Sequence, residues 1–136
     1  MRAVTVNEFG GPEVLDIGEV ADPAPGPGEV LIDVAVADVL FLDTMLRSGA
    51  GRDFFPVRPP YVPGGGVAGV VRAVGFGADP ALVGHQVVAH TGITGGYAEQ
   101  AGVDVGDIVP IPRGRDLATS AALLHDGVTA LGLVSA

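Results

Sequence analysis

The stretch Glu29-Val30-Leu31-Ile32-Asp33-Val34-Ala35-Val36-Ala37 determines the fold class of this 136-residue chain. Branched apolar side chains stand at every second position and share one face, which is formed by Val30, Ile32, Val34 and Val36. An alternation with period two is typical of a half-buried β-strand. The preceding turn, Pro23–Gly28, is too rich in proline and glycine for a helix or a central strand. We therefore predict a strand over 29–37, the clearest strand in the chain.

Short strand-like segments lie on both sides of this strand. With 22 glycines and 11 prolines in the chain, turns between them must be frequent. The further predicted strands are Ala3–Val6, Val14–Val20, Val67–Val74, Gln86–His90, Gly96–Ala101 and Asp107–Ile111. A run of strands followed by one helical tail predicts a mainly β protein, a partly open β-barrel with short helices at its ends.

Two helical segments are predicted. Asp38 can cap a short helix over 39–47. Asp116 can cap an apolar helix that runs to Leu124, is interrupted at 125–127 and then resumes. We accordingly divide the chain into a barrel domain over residues 1–115 and a helical segment over residues 116–136.

Composition and charge exclude several classes of protein. Hydrophobic residues make up 48% of the chain and charged residues 17%, which excludes a disordered chain. The net charge of −9 repels phosphates, so we expect no nucleic-acid partner and no attraction to anionic membranes. The apolar stretches are expected to be too short and too interrupted to span a bilayer. Without cysteine or a signal-peptide pattern, we expect a cytoplasmic protein.

The segment Gly64-Gly65-Gly66-Val67-Ala68-Gly69 satisfies the dinucleotide-binding motif G-x-G-x-x-G. That motif binds a pyrophosphate only between a strand and a helix. Here prolines precede it and β-branched residues follow it. We predict a glycine-rich entry to a strand, and no nucleotide site of the chain's own.

Six segments, in order, resemble the catalytic domain of the medium-chain dehydrogenase/reductase superfamily, in its quinone oxidoreductase branch. They are Met1–Leu15, Pro25–Leu31, Asp43–Gly49, Pro63–Gly75, Gly95–Glu99 and Leu124–Ala130. Each motif is weak alone, but their ordered spacing covers nearly the whole chain. The resemblance implies a partly open GroES-like β-barrel followed by a linker helix, with no Rossmann domain.

The resemblance also implies that no zinc is bound. In the zinc-binding branch the ligands fall near Val39 and near 65–66, where this chain has no ligating side chain. The spacing of His85, His90 and His125 matches no zinc motif. We predict no metal site.

By resemblance the cofactor is NADPH, which delivers hydride to a quinone or enone. Thr129 occupies the family position whose side chain contacts the nicotinamide, although a threonine capping a helix start is an equal alternative. Leu40 takes the place of an asparagine that can reach cofactor or substrate. Because the side chain of Leu40 can form no hydrogen bond, Leu40 also fits a place in the core.

Four further residues are candidates for the substrate cleft. Met45 can line an apolar pocket or fill the core. Arg47 can hold an enolate or phosphate, or instead form an i,i+4 pair with Asp43. Tyr97 is a substrate-binding candidate that also fits a structural place in its turn. His90 can donate a proton at the mouth of the cleft.

Two hypotheses follow. The first is the substrate-binding and catalytic domain of a zinc-independent, NADPH-dependent quinone or enone reductase, inactive in hydride transfer without a nucleotide-binding domain. The alternative is a non-redox binding or scaffold module; a co-chaperonin-like ring protein shares only the barrel. The expected partners are a small apolar carbonyl or quinone substrate, and a second copy or a partner domain bound through the 116–136 helix.

Overall fold

A computed structural model describes residues 1–135 of the chain. Within these residues the chain forms seven strands and two α-helices. In chain order these are β1 (Arg2–Val6), β2 (Leu15–Glu19), β3 (Glu29–Ala37), α1 (Phe41–Ser48), β4 (Gly66–Val74), β5 (Gln86–His90), β6 (Gln100–Asp104), β7 (Ile108–Pro110) and α2 (Leu117–Val134).

The strands form a five-stranded antiparallel sheet and a separate hairpin. The sheet has the order β6-β3-β4-β5-β7, and β1 pairs with β2. Strand β3 is bonded on both sides, with Val30 opposite Val74 of β4 and Val103 of β6. The predicted strand over 29–37 and the predicted mainly β, partly open barrel are confirmed: the sheet is curled into a half-barrel, and β3 lies inside the sheet.

The main core cluster is formed by residues of the five-stranded sheet. Its residues are small and branched, so neighbouring strands approach closely and the curled sheet is filled without large aromatic rings. Its buried members are Val30, Ile32, Val67, Val71, Val87, Ala89, Ala101 and Val103. A second, smaller cluster joins α2 to the sheet through Ala121, Ala68 and Val88.

The glycine-rich segment enters β4, as predicted. Gly66 begins the strand, and a Cβ at Gly69 would lie 2.1 Å from the carbonyl oxygen of Asp33 on β3. Glycine at this position therefore permits close approach of two strands. The segment precedes no helix, so it does not have the geometry of a dinucleotide turn.

The start of α1 differs from the prediction. Leu40, and not Asp38, is the N-cap, and the Asp43 carboxylate accepts the Leu40 backbone N–H at 2.8 Å. The cap is therefore supplied from inside the first turn, which leaves Asp38 free for another partner.

Strand β6 begins later than predicted. Residues 95–97 instead donate backbone hydrogen bonds to the 62–64 segment, including Tyr97 N to Pro63 O at 2.8 Å. The glycine-rich turn thus takes this stretch out of the sheet. The ladder with β3 starts at Gln100.

Helix α2 is continuous, so the predicted interruption at 125–127 was wrong. One glycine inside a helix costs about 1 kcal/mol relative to alanine, which an otherwise good helical sequence tolerates. Asp116 caps the helix as predicted, accepting the Thr119 N–H at 2.8 Å.

The length of α2 corrects a second expectation. Its 18 residues have a mean hydropathy of 1.4, and 6% of them are buried. By length and composition alone, the helix is therefore long and apolar enough to cross a membrane. The expectation that every apolar stretch is too short depended on the interruption and was wrong for this helix.

Candidate functional site

A cavity of about 420 Å³ lies between α2 and the segment that leads into β7. Helix α2 contributes His125 and Thr129, and His90 at the end of β5 forms the adjoining wall. The remaining lining is Gly106, Asp107, Val109, Leu124 and Val128. Two of the candidates from the sequence, His90 and Thr129, are therefore brought together.

An imidazole–carboxylate pair connects this cavity to the end of β3. His125 Nδ1 lies 3.0 Å from Asp38 Oδ2, and the two side chains are 21% and 18% exposed. Asp38 follows β3 directly, and its backbone N–H donates to the carbonyl of Gly66 at 2.9 Å. Both partners are thus fixed by secondary structure, and water is largely excluded from the contact.

The glycines at the start of β4 make room for the His125 ring. A Cβ at Gly66 would lie 2.6 Å from His125 Cε1, closer than side-chain atoms can pack. A Cβ at Gly65 would lie 3.9 Å from His125 Nε2 and 3.6 Å from Leu40 Cδ1. Leu40 and His125 therefore converge on one point, beside the backbone of Gly65.

His90 lies next to His125 but is the more exposed of the two. The ring centroids are 5.1 Å apart at a tilt of 51°. His90 Nδ1 accepts the backbone N–H of Gly92 at 3.2 Å, which orients the ring. No carboxylate of residues 1–135 bonds to His90, whereas His125 has Asp38.

Thr129 lies inside α2, so the alternative that it caps a helix start was wrong. It is exposed, and it stands four residues after His125. Residues four apart on a helix share a face, with Cβ atoms about 5–6 Å from one another. The Thr129 hydroxyl and the His125 ring therefore border the same cavity, one helical turn apart.

Tyr97 belongs to a different place. Its hydroxyl donates to Asp43 Oδ2 at 2.8 Å, and Asp43 is only 7% exposed. Burial raises the pKa of the Tyr97 phenol, and the hydrogen bond to Asp43 raises it further. Tyr97 borders a separate apolar groove of about 440 Å³ with Val34 and Val39. Its hydroxyl is committed to holding α1.

The α1 candidates also lie apart from the cavity. Arg47 Nε donates to the Gly10 carbonyl at 3.4 Å, and Gly10 N–H donates to the Arg47 carbonyl at 3.0 Å. The i,i+4 pair of Arg47 with Asp43 does not form, because Asp43 is already bonded to Leu40 and Tyr97. Met45 is half-buried on α1. Neither Met45 nor Arg47 lines the cavity that holds Thr129.

Within residues 1–135 no three His, Asp or Glu side chains are placed to hold a metal ion together. The pairing of Asp38 with His125 is not predicted by the sequence. The sequence favours Asp38 as a helix cap and places His125 in a helix interruption, and 87 positions separate the two residues. The one available signal was the spacing of His125 and Thr129 by a helical turn.

The outer half of α2 presents apolar side chains to solvent. Leu131 is 67% exposed and Val134 81%, and Leu123, Val128 and Leu133 are at least 60% exposed. The same helix packs its Ala121 side against β4 and β5, so one face is used by the barrel and another is uncovered.

A curled antiparallel half-barrel with an apolar helix across it defines the GroES-like class of barrel domain, and the comparisons agree. Residues 26–113 match the alcohol dehydrogenase GroES-like domain. The quinone oxidoreductase of Rattus norvegicus is 40% identical over 126 residues, which are 90% of this chain and 37% of that protein. The chain belongs to the alcohol dehydrogenase GroES-like domain family, within the medium-chain dehydrogenase/reductase superfamily.

Two solved structures share the fold. The human synaptic vesicle membrane protein VAT-1 homolog-like protein matches with a TM-score of 0.92 and 32% identity, over 98% of this chain and 42% of that one. Escherichia coli quinone oxidoreductase complexed with NADPH matches with a TM-score of 0.90 and 26% identity, over 98% and 40%. The resemblance to quinone oxidoreductases is confirmed. The chain spans about two-fifths of the length of these relatives.

Proposed function

We propose that this chain is the substrate-binding and catalytic domain of a zinc-independent, NADPH-dependent quinone or enone reductase. The observation that supports the proposal best is the cavity beside α2, where Thr129, His125 and His90 meet. The relatives named above include quinone oxidoreductases, and one of them was solved with NADPH. A cytoplasmic location is part of the same proposal.

The residues present fit only the nicotinamide end of the cofactor. Thr129 offers an exposed hydroxyl inside the cavity, at the position that contacts the nicotinamide in the family. The Gly64–Gly69 segment runs into β4 and provides no helix N-terminus for the pyrophosphate. When bound, the cofactor supplies hydride. The rest of the cofactor needs a nucleotide-binding domain, so the described chain alone is proposed to be inactive in hydride transfer.

Apolar side chains line part of the cavity, beside its polar groups. Leu40 replaces the asparagine that the family commonly has, and its Cδ1 and His125 Nε2 both lie within 4 Å of the position that a Cβ on Gly65 would take. We propose a small, flat, apolar carbonyl compound or quinone as substrate, with Leu124 and Val128 of the cavity excluding water around it.

The exposed apolar face of α2 is proposed to bind the nucleotide-binding domain. Exposed patches of this kind normally mark an interface. A second copy of the chain would bury the same face. The replacement of the family asparagine by Leu40 favours the alternative of a non-redox module, so the two functions need a direct test.

The test joins residues 1–136 to the nucleotide-binding domain of Escherichia coli quinone oxidoreductase. We expect the fusion protein to bind NADPH, followed by cofactor fluorescence, and to consume it when 1,4-benzoquinone or 2-cyclohexen-1-one is added. The chain alone should show no saturable NADPH binding. A folded fusion protein that binds NADPH but reduces neither compound would favour the non-redox module.

A further inference from the structure

We propose that His125, held in place by Asp38, is the group that transfers a proton to the carbonyl oxygen of the substrate. This inference rests on the reductase function proposed above. It concerns two residues that the sequence analysis assigned to secondary structure, and it takes the proton-donor role from His90.

The hydrogen bond to Asp38 fixes which ring nitrogen is available. An ionised carboxylate can only accept, so the ring donates from Nδ1. The ring nitrogen left for a ligand is Nε2, on a side chain that lines the cavity together with Thr129. An imidazole whose Nδ1–H is held by a carboxylate keeps its orientation and its tautomer, as in the hydrolytic triads.

The position of Nε2 relative to Thr129 suits proton transfer. The two side chains are one helical turn apart on the face that borders the cavity. A substrate that lies against the nicotinamide beside Thr129 therefore has its oxygen within reach of the ring of His125. The Leu40 side chain carries no donor, so His125 donates the hydrogen bond that the family's asparagine would donate from position 40.

The proposed step balances as follows for an enone. The β-carbon gains hydride from a reduced nicotinamide, and the carbon–carbon π pair shifts to give an enolate. The enolate oxygen forms an O–H bond as the Nε2–H bond of the protonated ring breaks. The products are the enol, the oxidised nicotinamide and neutral His125, whose Nδ1–H stays with Asp38. Water then returns a proton to the ring.

Several titratable groups surround the ring of His125. Asp38 faces it from the end of β3, His90 from β5, and Asp107 from the segment before β7, while Asp126 is its neighbour on α2. His90 is exposed, and its ring centroid lies 5.1 Å from that of His125, so it is placed to relay a replacement proton from solvent to His125.

The first test uses the chain by itself and 4-nitrophenolate, whose oxygen imitates an enolate. Imidazole nitrogen NMR signals would be followed during the titration. We expect saturable binding that moves the Nε2 signal of His125 and leaves exposed His85 unchanged. His125→Phe should weaken binding by about tenfold or more, Asp38→Asn by severalfold, and the control His85→Phe not at all.

Thermal unfolding separates this role from a purely structural contact. If the pair only fastens α2 to the barrel, His125→Phe lowers the melting temperature but leaves the affinity for the probe intact. Equal probe affinity in wild type and His125→Phe, or an unmoved Nε2 signal, would overturn the proposal. A variant that does not fold is replaced by His125→Gln, which keeps a polar side chain at the helix surface.

The fusion protein distinguishes this inference from the proposed function. We expect His125→Phe to lower kcat by about a hundredfold, in the range of general acid catalysis, with little change in the KM for NADPH. Asp38→Asn should lower kcat less and change the pH profile of kcat. An active fusion protein unaffected by His125→Phe would refute the role of His125 and leave the reductase function standing. An inactive fusion protein with intact probe binding would count against the reductase function and would leave only the binding of the probe at His125 standing.

Discussion

The phenol of Tyr97 donates to the carboxylate of Asp43 at 2.8 Å and thereby fastens the first turn of α1 to the glycine-rich turn before β6. The same Asp43 oxygen accepts the backbone N–H of Leu40. The buried carboxylate of Asp43 therefore both caps α1 and forms a tertiary contact with a residue 54 positions away in the sequence.

Replacing Tyr97 by phenylalanine should destabilise the protein by about 1–3 kcal/mol, because a buried acceptor loses one of its donors. Urea unfolding would measure the loss. Tyr61→Phe is the matched control: the Tyr61 hydroxyl is buried without a hydrogen-bond partner among residues 1–135, so its removal should be neutral or stabilising. Equal losses in both variants would show that the Tyr97–Asp43 bond contributes nothing specific.

Gly66→Ala should displace the His125 ring, because the added Cβ would lie 2.6 Å from Cε1. We expect a loss of about 1–3 kcal/mol from overpacking and the loss of the Asp38–His125 hydrogen bond, detected by imidazole NMR. Gly18→Ala is the control in another strand, since its Cβ meets open space. Combining Gly66→Ala with His125→Ala should restore most of the stability; a purely additive double variant would contradict the steric explanation.

The sequence predicts the barrel better than the site, for a physical reason. Strand β3 is recognisable because branched apolar residues stand at every second position of its sequence, and that pattern is local. The hydrogen-bonded pairs that form the site join residues far apart in the sequence, as Asp38 and His125 do. No local sequence pattern predicts which carboxylate will bond to which imidazole ring. Arg47 and Tyr97 were assigned to the cleft by analogy with relatives, while in this chain their polar atoms bond to Gly10 and Asp43.

The pair of Arg2 and Glu99 should respond to acid. The Arg2 backbone N–H, and after it the guanidinium, lowers the pKa of the Glu99 carboxyl. A lowered folded-state pKa gives stability above the unfolded value of about 4.3, which is lost as the pH falls through the folded value. Glu99→Gln should therefore be less stable than wild type at pH 7, with the difference shrinking below about pH 4.

Arg2→Gln refines that test, because it removes the 2.7 Å ion pair and keeps the backbone donor. We expect it to retain the larger part of the acid dependence, since the backbone bond is the main cause of the lowered pKa. Urea unfolding at several pH values would measure both variants. Identical pH profiles for Arg2→Gln and Glu99→Gln would assign the effect to the guanidinium instead.

The exposed face of α2 should drive association when nothing covers it. We expect the chain alone to self-associate with rising concentration, measured by sedimentation velocity, because Leu131 and Val134 are 67% and 81% exposed on one helix. Leu131→Lys combined with Val134→Lys should shift the equilibrium to monomers. Phe76→Lys is the control, since Phe76 is 89% exposed in a turn far from α2 in sequence. Flotation of the chain with phospholipid vesicles, abolished by the same α2 substitutions, would instead identify a lipid surface as the partner of this helix.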